Sequence, residues 1–227
     1  MTGVQTCALP ILDILGIVIA RAAGTVDLGA FLTDRLFGPA GMTSSFFQVP
    51  GSEVGRLTTN YGILGGMAIP IDPPATSVYL DKPAFAFGGA GLVTSPADYD
   101  RFLEMVATGG KVRGKRIMSE AAVRMGTSRL LPANVETKGT FIEGASFGAG
   151  GRVGLGALEG TYGWGGLAGT VGFASTKIGL RAGLFVQYTP SGALPIEKAF
   201  PTAVAVKVLS TVPMVSPLLS PKPRPLP

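Results

Sequence analysis

Apolar positions along the chain follow two periods, and the change between them marks out the elements. Leu28, Phe31, Leu32 and Leu36 recur at helical spacing behind Asp27, a side chain suited to an N-cap, so residues 27–37 are predicted as an amphipathic helix that Gly38-Pro39 then stops. The same spacing in Tyr99, Phe102, Leu103 and Val106 predicts a helix over 96–108, with Ser95 or Thr94 as cap, Pro96 at its first position and Gly109-Gly110 after it. Residues 11–23 are apolar all round and end at Gly24, which predicts a buried helix. Ser119 is predicted to cap a short helix through Arg124. In residues 160–188 the pattern changes. A Gly-dense stretch leads into two runs rich in β-branched and aromatic residues, 170–175 and 180–188, with Thr176-Lys177-Ile178-Gly179 between them. This predicts an antiparallel hairpin.

The rest of the chain is less periodic. Residues 44–49 are predicted as a short extended segment, and 147–158 as a strand interrupted by glycines. Pro70, Pro73 and Pro74 leave 55–80 open between a long loop and short edge strands, and 130–143 shows no period. A terminal helix covers 195–212, with Ile196, Phe200, Val204 and Leu209 facing the sheet, and Pro195 and Pro201 are alternative starts. The tail, 211–227, is proline-rich and predicted to be extended and unpacked. Helices grouped around paired strands imply an α+β fold with an antiparallel sheet.

Composition narrows the chemistry more than the fold. The 227 residues are 46% hydrophobic and 15% charged, ample for a core, and the net charge of +5 is scattered apart from residues 111–116 and the tail. No aromatic-interleaved basic stripe marks a nucleic-acid partner, and no segment is fit to span a membrane. Histidine is absent, which excludes Ser-His-Asp triads, Cys-His dyads and HExxH zinc sites. Cys7 stands alone, so the chain holds neither an internal disulfide nor a cysteine-based metal site. Residues 1–10, with the string VQTCALPI running to Ile11, resemble translated sequencing adapter and read as an artefact. The apolar run from Ala8 to Ala20 does not fit a signal peptide, since it has no basic leader and contains Asp13.

Three short motifs do not survive their context. Gly144-Ala145-Ser146-Phe147-Gly148 matches GxSxG, but strand-like residues follow it and no histidine exists to act as base. Gly109 to Lys115 matches GxxxxGK, with Arg116 where a Ser or Thr is needed. Gly163, Gly165 and Ala168 have dinucleotide-loop spacing without a βαβ unit. Asp98, Tyr99 and Arg101 are better explained by helix-surface charge and core packing than as a polar site.

Four segments in order carry a broader likeness: Asp13-Ile14-Leu15-Gly16; Leu36-Phe37-Gly38-Pro39-Ala40-Gly41-Met42; Gly88-Gly89-Ala90-Gly91-Leu92-Val93-Thr94-Ser95 leading to Asp98-Tyr99-Asp100-Arg101-Phe102-Leu103; and Tyr162-Gly163-Trp164-Gly165-Gly166-Leu167-Ala168-Gly169-Thr170. Together they resemble the later part of the serine β-lactamase-like hydrolases, the family of penicillin-binding proteins, class C β-lactamases and related esterases. The likeness covers residues 11–210. It implies a partial β-lactamase/transpeptidase-like fold without its first strands and nucleophile helix, acyl-enzyme chemistry on a small ester or amide-like substrate, and no cofactor or metal.

Of the three family motifs only the third is present. Ser-x-x-Lys occurs nowhere in the chain, and the tyrosine motif would fall at Ala8 and Leu9. The resemblance therefore names no catalytic residue here. It implies that Trp164, Gly165 and Gly166 replace a Lys-Thr-Gly or His-Thr-Gly motif along the substrate cleft, and that Leu167 N–H is the second oxyanion-hole donor. Tryptophan in place of a cation removes an anchor for a substrate carboxylate and favours esters or peptide-like substrates. Trp164 packed beneath the hairpin is the alternative. Three functions stay open: an inactive piece of a serine hydrolase, a non-catalytic ligand-binding homologue, or a structural or adhesive domain using the Gly-rich hairpins.

Overall fold

The computed structural model describes residues 3–196 and 199–204. Helix α1, Gly3–Ala22, precedes a short α2, Leu28–Leu32, for which Asp27 Oδ1 accepts the Ala30 N–H at 2.8 Å as the predicted cap. The helix does not stop at Gly38. A π turn, Thr33–Phe37, carries it into α3, Gly38–Ala40, so that Pro39, which has no N–H to donate, is absorbed rather than terminal. Gly41 ends it at φ 71°, and Met42 N–H reaches back to Phe37 O at 2.7 Å.

Strand β1, Ser45–Phe46, is followed by β2, Asn60–Leu64, and β3, Met67–Asp72, which form a hairpin closed by Gly65 and Gly66 at φ 57° and 81°. Of the two readings left open for 55–80, strands prevail. Pro70 is tolerated because β3 is an edge strand. After β4, Val93–Thr94, which pairs with β1, helix α4 spans Pro96–Ala107 with Ser95 Oγ accepting Asp98 N–H at 3.2 Å. The basic run becomes a two-stranded hairpin, β5 Lys111–Val112 and β6 Lys115–Arg116, turning at Arg113 (φ 48°) and Gly114 (φ 81°), and α5 covers Glu120–Gly126 behind a Ser119 cap.

The main sheet is antiparallel. It comprises β7 Ala145–Phe147, β8 Arg152–Gly154, β9 Thr161–Gly165, β10 Val171–Ser175 and β11 Arg181–Leu184, in the order β11-β10-β9-β8-β7. The single strand predicted over 147–158 is thus two strands and a turn. The predicted turn between β10 and β11 holds, with Gly179 at φ 65° and Ser175 N–H on Leu180 O at 2.7 Å. The run 180–188 divides: its end, β12 Tyr188–Thr189, leaves the sheet to pair in parallel with β2.

Helix α4 packs on one face of the sheet and belongs to two apolar clusters. Leu103 and Val106 meet Ala174 of β10, while Met105 joins Phe37, Ala40, Met42 and Val112. On the opposite face Phe173 meets the Phe200 ring, 6.0 Å between centroids, in the helical residues 199–204. Ala199 N–H donates to Pro195 O at 2.9 Å, in keeping with a start at Pro195; the predicted continuation to 212 and the tail lie outside the described residues.

The four segments of the sequence likeness meet: Phe102 packs against the cluster of Phe37, Ala40 and Met42, and Tyr99 and Phe102 share a second cluster with Tyr162. Asp13 Oδ1 accepts Gly89 N–H at 2.9 Å, and Gly88 lies so close to α1 that a Cβ there would sit 2.0 Å from Leu12 O. Asp98 Oδ2 accepts Ser44 N–H at 2.6 Å and Ser45 Oγ–H at 3.1 Å, and its other oxygen pairs with Arg101. At Gly172 a Cβ would fall 2.4 Å from Tyr99 Cε1, which lets α4 lie against β10.

Two further expectations are corrected. Helix α1 is not buried: Ile11, Ile14, Leu15 and Val18 are between 47% and 62% exposed, because only its Gly16–Ala20 side meets α2 and the Gly88 loop. Asp98 is not a surface charge but 2% exposed, tied by its carboxylate to the segment after α3. No described helix is long and apolar enough to cross a membrane.

Candidate active site

The Gly-dense start of the hairpin becomes β9, and its last residues are Trp164 and Gly165. On one side β10 fixes the register, Gly165 opposite Val171 and Trp164 opposite Gly172. Gly163 permits that approach, since a Cβ there would lie 2.3 Å from Gly172 O. On the other side Arg152 opposite Gly163 is the last β8 pair, so Trp164 extends past the beginning of β8.

In that gap the indole meets Phe141 and Phe147 edge to face, at 5.5 and 5.6 Å between centroids. The Arg152 guanidinium carbon stands 5.9 Å from the ring centre. Trp164 is nevertheless 39% exposed, so the indole is walled on its sides and open to solvent.

The chain then turns sharply. Gly166 N–H donates to Thr170 O at 2.8 Å and Gly169 N–H to Gly166 O at 3.0 Å. A Cβ on Gly166 would sit 2.4 Å from Thr170 Oγ1, so its small size serves the turn. Leu167, at the tip, is 72% exposed, and among the described residues its N–H has no backbone acceptor.

Nearby polar groups have structural duties. Tyr162 donates its hydroxyl to Ala149 O at 2.5 Å, and burial, followed by the neighbouring Tyr99, pushes its pKa up to about 12. It stays a neutral phenol and is no proton acceptor at ordinary pH. Burial likewise raises Tyr99. Ser146 lies buried within β7 opposite Val153, which removes the GxSxG match from any strand-to-helix elbow. Among the described residues no cluster of His, Cys, Asp or Glu is able to hold a metal ion.

The Phe85 to Gly91 loop lines space of its own. A cavity of about 260 Å³ lies between that loop, Leu28 and Leu32, and a second of about 230 Å³ lies between α1 and Phe85-Ala86. Neither is lined by Trp164. The residues that sequence reasoning missed are Phe141, Phe147 and Arg152. Phe141 belongs to an aperiodic stretch that carried no signal, whereas Phe147 and Arg152 were legible in principle once β7 and β8 were separated into a hairpin.

Comparison with known proteins bears on the family and the fold. The Beta-lactamase family model matches residues 8–206. Protein Rv1367c of Mycobacterium tuberculosis (strain ATCC 25618 / H37Rv) is 30% identical over 200 residues, which cover 79% of this chain and 48% of the relative. The chain thus spans about half the length of the curated relatives it matches. Among solved structures, the LovD6 mutant of simvastatin synthase from Aspergillus terreus superposes with a TM-score of 0.73 at 21% identity, over 87% of this chain and 54% of that one. EstCE1, a hydrolase with promiscuous acyltransferase activity, gives 0.69 at 24% identity, over 86% and 54%. These structural likenesses show the shared fold.

Proposed function

Since this chain belongs to the Beta-lactamase family, we propose that it forms the substrate-facing wall of a hydrolase acting on small esters or amide-like substrates through an acyl-enzyme. The observation that carries the reading is the open indole of Trp164 at the end of β9, flanked by Phe141 and Phe147, followed at once by the exposed Leu167 turn. An acyl chain is apolar and slides along an aromatic face, while a developing oxyanion needs an unengaged N–H nearby. Trp164 and the Leu167 N–H supply these two elements. Gly166 N–H does not, being bonded to Thr170 O.

This sequence contains no Ser-x-x-Lys. In this reading the chain binds but supplies no nucleophile, and its own turnover is nil. The purified chain is to be mixed with p-nitrophenyl esters of increasing acyl length and with nitrocefin, following both product absorbance and Trp164 fluorescence. The expected outcome is quenching of Trp164 by the esters with no turnover. Turnover abolished by a serine-directed phosphonate would overturn the absence of a nucleophile, and esters that leave the indole unchanged would overturn its place in the cleft.

A further inference from the structure

Beside the open indole of Trp164 the neighbouring strand places a cation. Arg152, at the first position of β8, holds its guanidinium carbon 5.9 Å from the Trp164 ring centre. One terminal nitrogen, Nη2, donates to Phe141 O. That carbonyl is neutral, and no carboxylate lies within 4 Å of Arg152 among the described residues, in contrast to Arg101, Arg124 and Arg181, each of which has an acidic partner. Its Nε is buried and makes no hydrogen bond. Nη1 has no hydrogen-bond partner either but is not sealed from solvent.

A half-buried guanidinium beside an aromatic ring gains a modest cation–π attraction, which leaves its charge uncompensated. The group that neutralises it best is planar and anionic, since the guanidinium fork matches a carboxylate. We infer that Arg152 is a specificity-determining residue that selects ligands whose acyl portion ends in a carboxylate, such as monoesters of dicarboxylic acids, with the methylene chain along Trp164 and the anion on the Arg152 Nη1 side. The inference rests on Trp164 lining the cleft, as proposed above, and adds to it the sign of the ligand's charge.

Trp164 is the single tryptophan, so its emission reports this site directly. Monomethyl adipate, an anion at neutral pH, and dimethyl adipate, its neutral counterpart, are titrated into the intact chain. The monoester is expected to bind about tenfold tighter, the ratio one charge-assisted hydrogen bond supplies. Rising sodium chloride should erode that preference in the unaltered protein and leave the diester constant. Arg152→Gln should abolish the preference while keeping the diester affinity, and Arg152→Lys should retain part of it. Equal affinities for the two esters in the unaltered protein, independent of salt, would overturn the role of Arg152 and leave Trp164 as cleft wall. No quenching by either ester would overturn the cleft reading, and this inference with it.

Discussion

Asp98 shows how one carboxylate can fasten two pieces of chain. It is 2% exposed and accepts hydrogen bonds from Ser44 N, Ser45 Oγ and Arg101, so the segment after α3 is fastened to the first turn of α4. Removing it strands a mostly buried guanidinium and a backbone N–H. Asp98→Ala is therefore expected to cost about 3–5 kcal/mol, read as a lower urea midpoint with unchanged slope. At Gly172 the constraint is space rather than charge, because a Cβ there would lie 2.4 Å from Tyr99. Gly172→Ala should cost about 1–3 kcal/mol in the same assay, whereas Gly51→Ala, with nothing within 4 Å, should be silent. Neither contact was legible in the sequence: Asp98 has the placement of a helix-dipole charge, and a strand glycine does not announce which side chain lies over it.

Elements with local signals were the readable ones. Asp27, Ser95 and Ser119 cap where the sequence put them because a cap is decided within four residues. The β2–β3 hairpin stayed ambiguous since its prolines compete with its Gly65-Gly66 turn, and only an edge position resolves the conflict. The splitting of 180–188 depended on β2, more than a hundred residues away, and no local pattern encodes that. At this scale β9 also sets a pH limit. Tyr162 is raised to about 12 in the folded chain, above its ordinary value of 10.0. The unfolded chain releases the phenolic proton first, so this contribution is fully present below pH about 10 and is lost as pH rises toward about 12, by up to about 1.4 kcal/mol per pH unit. Thermal melts between pH 9 and 11.5 should show the decline, and Tyr162→Phe should flatten it.

For the molecule as a whole, large apolar side chains stand open on two elements. Ile11, Ile14, Leu15 and Val18 of α1 stand open, as do Leu64, Met67, Ile69 and Ile71 of the β2–β3 hairpin. Light scattering should rise with protein concentration, and Ile14→Glu with Val18→Lys should suppress the rise without lowering the melting temperature. A rise that persists in the double variant would place the sticky surface elsewhere. The family was legible from four ordered segments because those segments hold each other: Asp13 on Gly89, Phe102 on the Phe37 cluster, Tyr99 in one cluster with Tyr162.

Helix α4 contributes Met105 to one hydrocarbon cluster and Leu103 and Val106 to the other. A shared rod of this kind leaves no seam between them, so neither half can melt while its neighbour survives. Differential scanning calorimetry should accordingly record one endotherm whose van't Hoff and calorimetric enthalpies agree.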